Sequence, residues 1–129
     1  MSERYDLFII DDSPSVSKKI ISILSKYDIK IKAFSDPVEG INELTATPPR
    51  VVFIDYNMPI LDGKNFIVKM SERYLFQFCS AYLITSTEFD EVATTQLRTL
   101  GFTKIIQKPF TENDLVSALS LEIGELKLK

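Results

Sequence analysis

Four short, mostly apolar runs in this chain each end in a polar residue that can do chemistry. The runs and the residues after them are 7–10 before Asp11 and Asp12, 51–54 before Asp55, 82–84 before Thr85, and 105–107 before Lys108. Short apolar runs rich in β-branched and aromatic residues are typical of buried strands. In an open parallel sheet the carboxyl ends of the strands share one edge, where ligands bind. The polar residues are therefore expected to lie in one site.

Helical signals alternate with these strands along the chain. Ser13 and Asp36 each precede a proline, and a capping residue followed by proline is typical of a helix start. Gly101 is placed to end the fourth helix, and Thr111 to open the fifth. Between residues 29 and 34, lysine alternates with apolar residues, which favours an edge strand.

This alternation of strand and helix predicts an α/β fold. Right-handed crossovers give a parallel sheet with helices on both faces. An edge position for the second strand gives the order 2-1-3-4-5 of the flavodoxin-like (βα)5 three-layer sandwich, and it brings Asp11, Asp12 and Asp55 together. We expect residues 1–129 to form one domain of five strands and five helices, with either a fraying end or the start of a linker after Gly124.

Composition excludes several classes of function. The net charge of -3 and the isoelectric point near 5.0 argue against direct binding of nucleic acid, which needs a basic stripe. Residues 1–5 lack the apolar stretch of a signal peptide, and no segment approaches the roughly 18 apolar residues that cross a bilayer. We therefore expect a cytoplasmic protein without membrane insertion. A single cysteine, Cys79, excludes an internal disulfide and is expected to be a buried hydrophobe.

The clustered acids predict a site for a metal and a phosphoryl group. Three carboxylates in one crevice repel one another, and a divalent cation relieves the repulsion. Mg2+ fits best because it prefers oxygen ligands and leaves positions for phosphate oxygens, and the chain has no histidine that would favour zinc. Lys108 supplies a cation and Thr85 a hydroxyl donor. The central carboxylate, Asp55, is the predicted nucleophile that would form an aspartyl-phosphate.

In order and spacing, these segments resemble the response-regulator receiver domains of two-component phosphorelay signalling. The resemblance covers almost the whole chain and rests on residues 8–13, 52–63, 84–86 and 108–110. It implies a cis peptide bond before Pro109. It also implies the site residues, which are Asp11, Asp12, Asp55 and the backbone carbonyl of Asn57 for Mg2+, and Asp55, Thr85 and Lys108 for phosphoryl transfer.

The resemblance implies partners as well. The donor would be a histidine kinase or another phosphohistidine protein, because this chain contains no histidine. Output would pass from the face of helix four, strand five and helix five to another protein, or to an output domain that is missing from this chain. The protein would catalyse its own phosphorylation and its own dephosphorylation without being a turnover enzyme.

One position departs from the family pattern. Receivers of this kind commonly carry Tyr or Phe three residues before the lysine, and this ring turns inward when the threonine moves. Here the position is Ile105, so output from that face is expected to be muted or rerouted. Phe102 is a candidate substitute, although its register is unfavourable.

Other interpretations stay open from the sequence alone. Taken singly, the acidic pair fits a solvated helix cap, and Thr85 fits a strand end satisfied by backbone. A magnesium phosphatase usually needs a second acid two residues after its nucleophile, where this chain has Asn57. A flavin binder would want a neutral, glycine-rich loop after strand one to hold phosphate, but the acidic pair at that place would repel it. The strongest alternative is a receiver-like scaffold that binds a partner whatever its phosphorylation state, for which Ile105 is the best argument.

Overall fold

A computed structural model describes residues 4–129, which contain one parallel sheet with helices on both faces. The strands within this range are β1 (Leu7–Ile10), β2 (Ile31–Phe34), β3 (Val51–Asp55), β4 (Ser80–Thr85) and β5 (Phe102–Gln107). The helices within this range are α1 (Pro14–Leu24), α2 (Pro37–Ala46), α3 (Gly63–Glu72), α4 (Glu91–Leu100) and α5 (Glu112–Ile123). A 3₁₀ turn, Leu75–Gln77, precedes β4 and was not predicted.

The strand order is β2-β1-β3-β4-β5, so the predicted order and the edge position of β2 are confirmed. Every residue of β1 and β3 is buried, because helices cover both faces of these central strands. One core layer packs under α1 and α5, and the other packs under α2, α3 and α4. In register, Ile10 pairs with Ile54, and Thr85 pairs with Gln107, so the carboxyl ends of the strands share one edge.

The helix starts follow the sequence signals with one difference. The side chain of Asp36 accepts a hydrogen bond from the Val38 N–H, and Thr111 forms a capping box with Asp114. Ser13 stands at the N-cap of α1 but makes no side-chain cap bond. Its backbone N–H instead donates to Asp11 Oδ1 at 2.9 Å, so the chain turns into α1 against a carboxylate of the acidic cluster.

The expectation of a fraying end after Gly124 is wrong. Leu128 forms an antiparallel bridge with Tyr27. The Asp28 N–H donates to the Lys127 carbonyl at 2.7 Å, and Leu126 packs on the core layer of α1 and α5. Strand β2 begins at residue 31 and not at residue 29 as predicted. The Ile29 N–H donates to the Tyr27 carbonyl and the Lys30 N–H to Asp6 Oδ2, so neither group pairs in the sheet.

Within residues 4–129, no helix combines the length and the apolar character that a membrane span requires. The expectation about the start of the chain concerned residues 1–5, of which residues 1–3 lie outside the described range.

Two glycines mark close approaches of helices to the sheet. At Gly63, the first residue of α3, a Cβ would lie 2.8 Å from the Asp55 carbonyl oxygen and 2.9 Å from the Tyr56 Cα. At Gly40 in α2, a Cβ would lie 2.7 Å from Ile10 Cδ1, which is the far end of a flexible side chain. The backbone after Asp55 therefore fixes how close α3 can start, whereas the contact at Gly40 is free to adjust.

We expect Gly63→Ala to lower the free energy of unfolding by about 2 kcal/mol, because the added methyl overlaps backbone that cannot move aside. Gly40→Ala is the matched control and should stay within about 1 kcal/mol of wild type, since the Ile10 side chain can shift and alanine favours a helix over glycine. Urea denaturation of both variants measures the difference. Equal losses at the two positions would contradict the rigid contact at Gly63.

Candidate functional site

Three carboxylates lie together at the carboxyl edge of the sheet. Asp11 and Asp12 follow β1, and Asp55 ends the neighbouring strand β3. One oxygen from each of the three lies within 4.8 Å of the other two. Asp11 is 3% exposed and Asp55 is 6% exposed, whereas Asp12 faces solvent. The strand order thus brings together the acids that the sequence singled out.

Lys108 reaches into this cluster from the end of β5. Its Nζ lies 3.2 Å from Asp55 Oδ1 and 3.5 Å from Asp11 Oδ2. Its backbone N–H donates to the Thr85 carbonyl at 2.8 Å, which ties the ends of β4 and β5 together. The Lys108–Pro109 peptide bond is cis, as expected. Two buried carboxylates therefore share one ammonium group.

Burial disfavours the ionised forms of Asp11 and Asp55. Burial, followed by the negative charge of Asp11, raises the pKa of Asp55 above its ordinary value of 3.8, and the nearby Lys108 offsets this only in part. Burial also raises the pKa of Asp11, although the Ser13 N–H and Lys108 oppose the shift. The cluster holds more negative charge than Lys108 neutralises. A set of oxygen donors with this excess charge fits a small divalent cation such as Mg2+.

Thr85 lies at the end of β4 and is fully buried. Its hydroxyl accepts a hydrogen bond from the Thr87 N–H at 3.0 Å, so in this structure it is engaged with its own loop. Asn57 lies two residues after Asp55 with an exposed side chain. Within residues 4–129, no hydrogen bond joins the side chain of Thr85 or Asn57 to the three carboxylates.

The position that departs from the family pattern, Ile105, is half-buried and packs against the core layer under α2, α3 and α4. Phe102 is 2% exposed at the start of β5 and pairs with Ala81, at the far end of β4 from Thr85. It is therefore too distant from Thr85 to serve as the missing aromatic residue.

Sequence analysis missed an aromatic pair beside the site. Tyr56 directly follows Asp55, and its ring packs edge-on against the ring of Phe89, with 5.1 Å between centroids and 78° between planes. The role of Gln107 was not predicted either: its Nε2 donates to the Thr87 carbonyl at 3.1 Å. An aromatic residue directly after the central acid was the one available signal, but nothing in the sequence shows that Phe89 meets it.

The chain is similar to known proteins over most of its length. The family model of the response regulator receiver domain matches residues 7–120. The probable chemotaxis protein CheY of Rhizobium etli is 25% identical over 128 residues, covering 98% of this chain and 98% of that protein. Hybrid signal transduction histidine kinase D of Dictyostelium discoideum is 29% identical over 111 residues, which are 86% of this chain but 7% of that protein.

Solved structures agree on the fold. Chemotaxis protein CheY4 of Vibrio cholerae superposes with a TM-score of 0.82 at 20% identity, covering 94% of this chain and 100% of that one. Fold and acidic cluster together define a CheY-like, phosphorylation-dependent switch. This chain belongs to the family of response regulator receiver domains of two-component signalling.

We expect Asp55→Asn to raise the free energy of unfolding of the metal-free protein by about 1 kcal/mol at pH 7, because it removes a charge that burial and Asp11 disfavour. A raised pKa means that wild type loses stability as the pH rises through the folded pKa, which lies above 3.8. The difference between variant and wild type should therefore vanish at lower pH, where Asp55 is protonated.

Urea denaturation in chelator between about pH 4 and 8 measures this, since the window spans the titration of a carboxylate whose pKa is raised. Asp28→Asn is the control, because Asp28 is exposed and precedes β2. A variant less stable than wild type at pH 7 would show that the ion pair with Lys108 outweighs the cost of burial.

Proposed function

We propose that Asp55 is the phosphoacceptor of this receiver domain and that it takes a phosphoryl group from a phosphohistidine on another protein. The observation that carries the proposal is the buried Asp55 carboxylate with the Lys108 ammonium 3.2 Å from one of its oxygens and two further acids beside it. The donor histidine would lie outside residues 1–129, because this sequence contains no histidine.

The transfer needs little from the protein beyond position and charge. An oxygen of the ionised Asp55 attacks phosphorus, the bond from phosphorus to the donor nitrogen breaks, and the histidine keeps the electron pair and takes up a proton. Lys108 already contacts Asp55 and is placed to follow the new phosphoryl oxygens. Thr85 would donate its hydroxyl proton to another of these oxygens once its side chain turns toward the site, since an oxygen that accepts the Thr87 N–H still has its own proton to donate.

Asp11, Asp12, Asp55 and the backbone carbonyl of Asn57 would hold the cation. Their oxygens suit Mg2+, whose positive charge stabilises the equatorial oxygens of the transferring group. Asp12 is the exposed member of the cluster and gives the ion a path from solvent. Without a cation, the excess negative charge would repel an incoming phosphoryl group.

We infer that the described residues, 4–129, form one receiver domain, because the core layer under α1 and α5 contains residues from β1 through α5. It would load and lose its phosphoryl group without turning over other substrates. Output would pass to another protein or to an output domain beyond this chain. The second candidate, a scaffold that binds its partner regardless of phosphorylation, is favoured by the absence of an aromatic ring at Ile105.

We expect wild type incubated with Mg2+ and acetyl phosphate to gain the mass of one phosphoryl group, because Asp55 offers the only buried carboxylate of the described chain that Lys108 holds at 3.2 Å. Intact-mass spectrometry measures the adduct. Asp55→Asn should gain none, whereas the control Asp28→Asn should behave as wild type. An adduct that survives Asp55→Asn would overturn the assignment, and no adduct in any protein would favour the constitutive scaffold.

We expect Mg2+ to raise the melting temperature of wild type, because it binds the folded acidic cluster and offsets its repulsion. At about ten times its Kd the ion adds about 1.4 kcal/mol to the free energy of unfolding. Asp11→Asn should remove most of the shift, whereas Asp28→Asn should keep it. Thermal unfolding at matched ionic strength, with NaCl replacing MgCl2, separates binding from screening; an equal shift in both salts would count against the metal site.

A further inference from the structure

The segment between β4 and α4, residues 86–90, connects Thr85 of the site to a surface helix. Its first tie is the hydrogen bond from the Thr87 N–H to the Thr85 hydroxyl. Its second is the bond from Gln107 Nε2 to the Thr87 carbonyl. Ser86 and Glu88 face solvent. Both backbone groups of Thr87 are therefore held by side chains at the ends of β4 and β5.

The third tie is the ring contact between Phe89 and Tyr56. The two centroids are 5.1 Å apart with the planes at 78°, an edge-to-face geometry that aromatic pairs favour. Tyr56 is covalently next to Asp55, and its N–H donates to the Ile84 carbonyl, next to Thr85. Phe89 thus contacts the side chain of the residue that directly follows the proposed phosphoacceptor.

Helix α4 begins at Glu91, two residues after Phe89, and buries little of its surface. Asp90 caps it by accepting the Ala93 N–H at 2.8 Å, so a shift of residue 89 reaches the first turn of α4. Within α4, Leu97 is the one buried residue. A cleft of about 480 Å³ lies beside the helix, lined by Tyr56, Lys64, Phe89, Ala93, Leu97 and Leu100, among others. Segments with few buried contacts are those that move most readily.

We propose that Phe89 is a positioning residue that couples the phosphorylation state of Asp55 to α4 through its contact with Tyr56. The inference rests on the proposed function. When Thr85 turns its hydroxyl to the phosphoryl group, Thr87 loses a hydrogen bond and its segment shifts. The Phe89 ring then slides on Tyr56 toward the cleft and carries the Asp90 cap and the first turn of α4 with it.

This route replaces one through Ile105. Ile105, like Tyr56 and Phe89, packs against the core layer under α2, α3 and α4, but it takes no part in the ring contact between those two residues. Its aliphatic side chain offers a smaller movement than a ring. Phe89, in contrast, connects the residue after Asp55 to the residue that caps α4.

The experiment compares the full chain as wild type, Phe89→Leu, Phe89→Tyr and Ile105→Ala, each in Mg2+ with and without beryllium fluoride as the phosphoryl mimic. The readout is amide hydrogen exchange of residues 87–100, with intact mass after acetyl phosphate on the same samples. Phe89→Leu keeps apolar volume but loses the ring, and Phe89→Tyr restores it. Phe78→Leu is the matched control, because Phe78 is 53% exposed and lies just before β4, at the opposite edge of the sheet.

In wild type, Phe89→Tyr, Ile105→Ala and Phe78→Leu, we expect beryllium fluoride to change exchange in the first turns of α4 by about fivefold or more, the size of an ordinary allosteric coupling. In Phe89→Leu the change should fall below about twofold, since the aromatic contact is lost. Phosphoryl uptake should be the same in all five proteins. Tyr56→Leu should reproduce the loss, and the double variant with Phe89→Leu should add nothing further.

The inference is overturned if Phe89→Leu responds as wild type does, or if Ile105→Ala loses the response. It is also overturned if Asp55 takes up the phosphoryl group while α4 of wild type does not respond, an outcome that leaves the proposed function intact. If wild type takes up no phosphoryl group, the proposed function fails and this inference fails with it. The mass measurement separates these two failures.

Discussion

The repulsion among three carboxylates, two of which share one ammonium, is the interaction on which the rest of this structure depends. Asp11 and Asp55 are buried at the ends of neighbouring strands, and Lys108 lies within 3.5 Å of both. The sheet can hold this arrangement because its central strands are covered on both faces and resist displacement. The unfavourable charge is also what makes the site receptive to a cation and then to a phosphoryl group. The same buried charges that lower the free energy of unfolding are therefore the ones that would bind the cation.

The same edge of the sheet links chemistry to movement. Thr85 is buried and its hydroxyl oxygen accepts the Thr87 N–H, so turning this side chain toward a phosphoryl oxygen would break that hydrogen bond. Residues 86–90 connect Thr85 to α4, a helix that has little buried surface of its own. On the other side, Gly63 brings the start of α3 against the backbone after Asp55. Because α3 starts in close contact with backbone and α4 buries only one residue, α4 is the helix that can move more easily.

Sequence patterns predicted the sheet order and the meeting of the acids because both follow from local rules. Four strand ends with polar residues, and capping residues such as Asp36 and Thr111, identify elements whose connections are then restricted by handedness. The tail was mispredicted because its pairing with Asp28 depends on a contact between distant parts of the chain. The contact between the Phe89 and Tyr56 rings was not predicted for the same reason, because the two residues lie far apart in the chain. The hydrogen bond of Ser13 could not be foreseen either, since the position of Asp11 decides it.

The pairing of the tail with residues 26–28 also bears on how this chain avoids its own copies. An edge strand presents unpaired backbone groups on which another chain can add a strand, and proteins limit this by keeping such edges short or charged. Here β2 is four residues long and carries Lys32, and the tail occupies backbone groups of Lys26 and Asp28 just before it. The sheet therefore offers little template for intermolecular β-pairing on its β2 side, which leaves the molecule better protected against aggregation there.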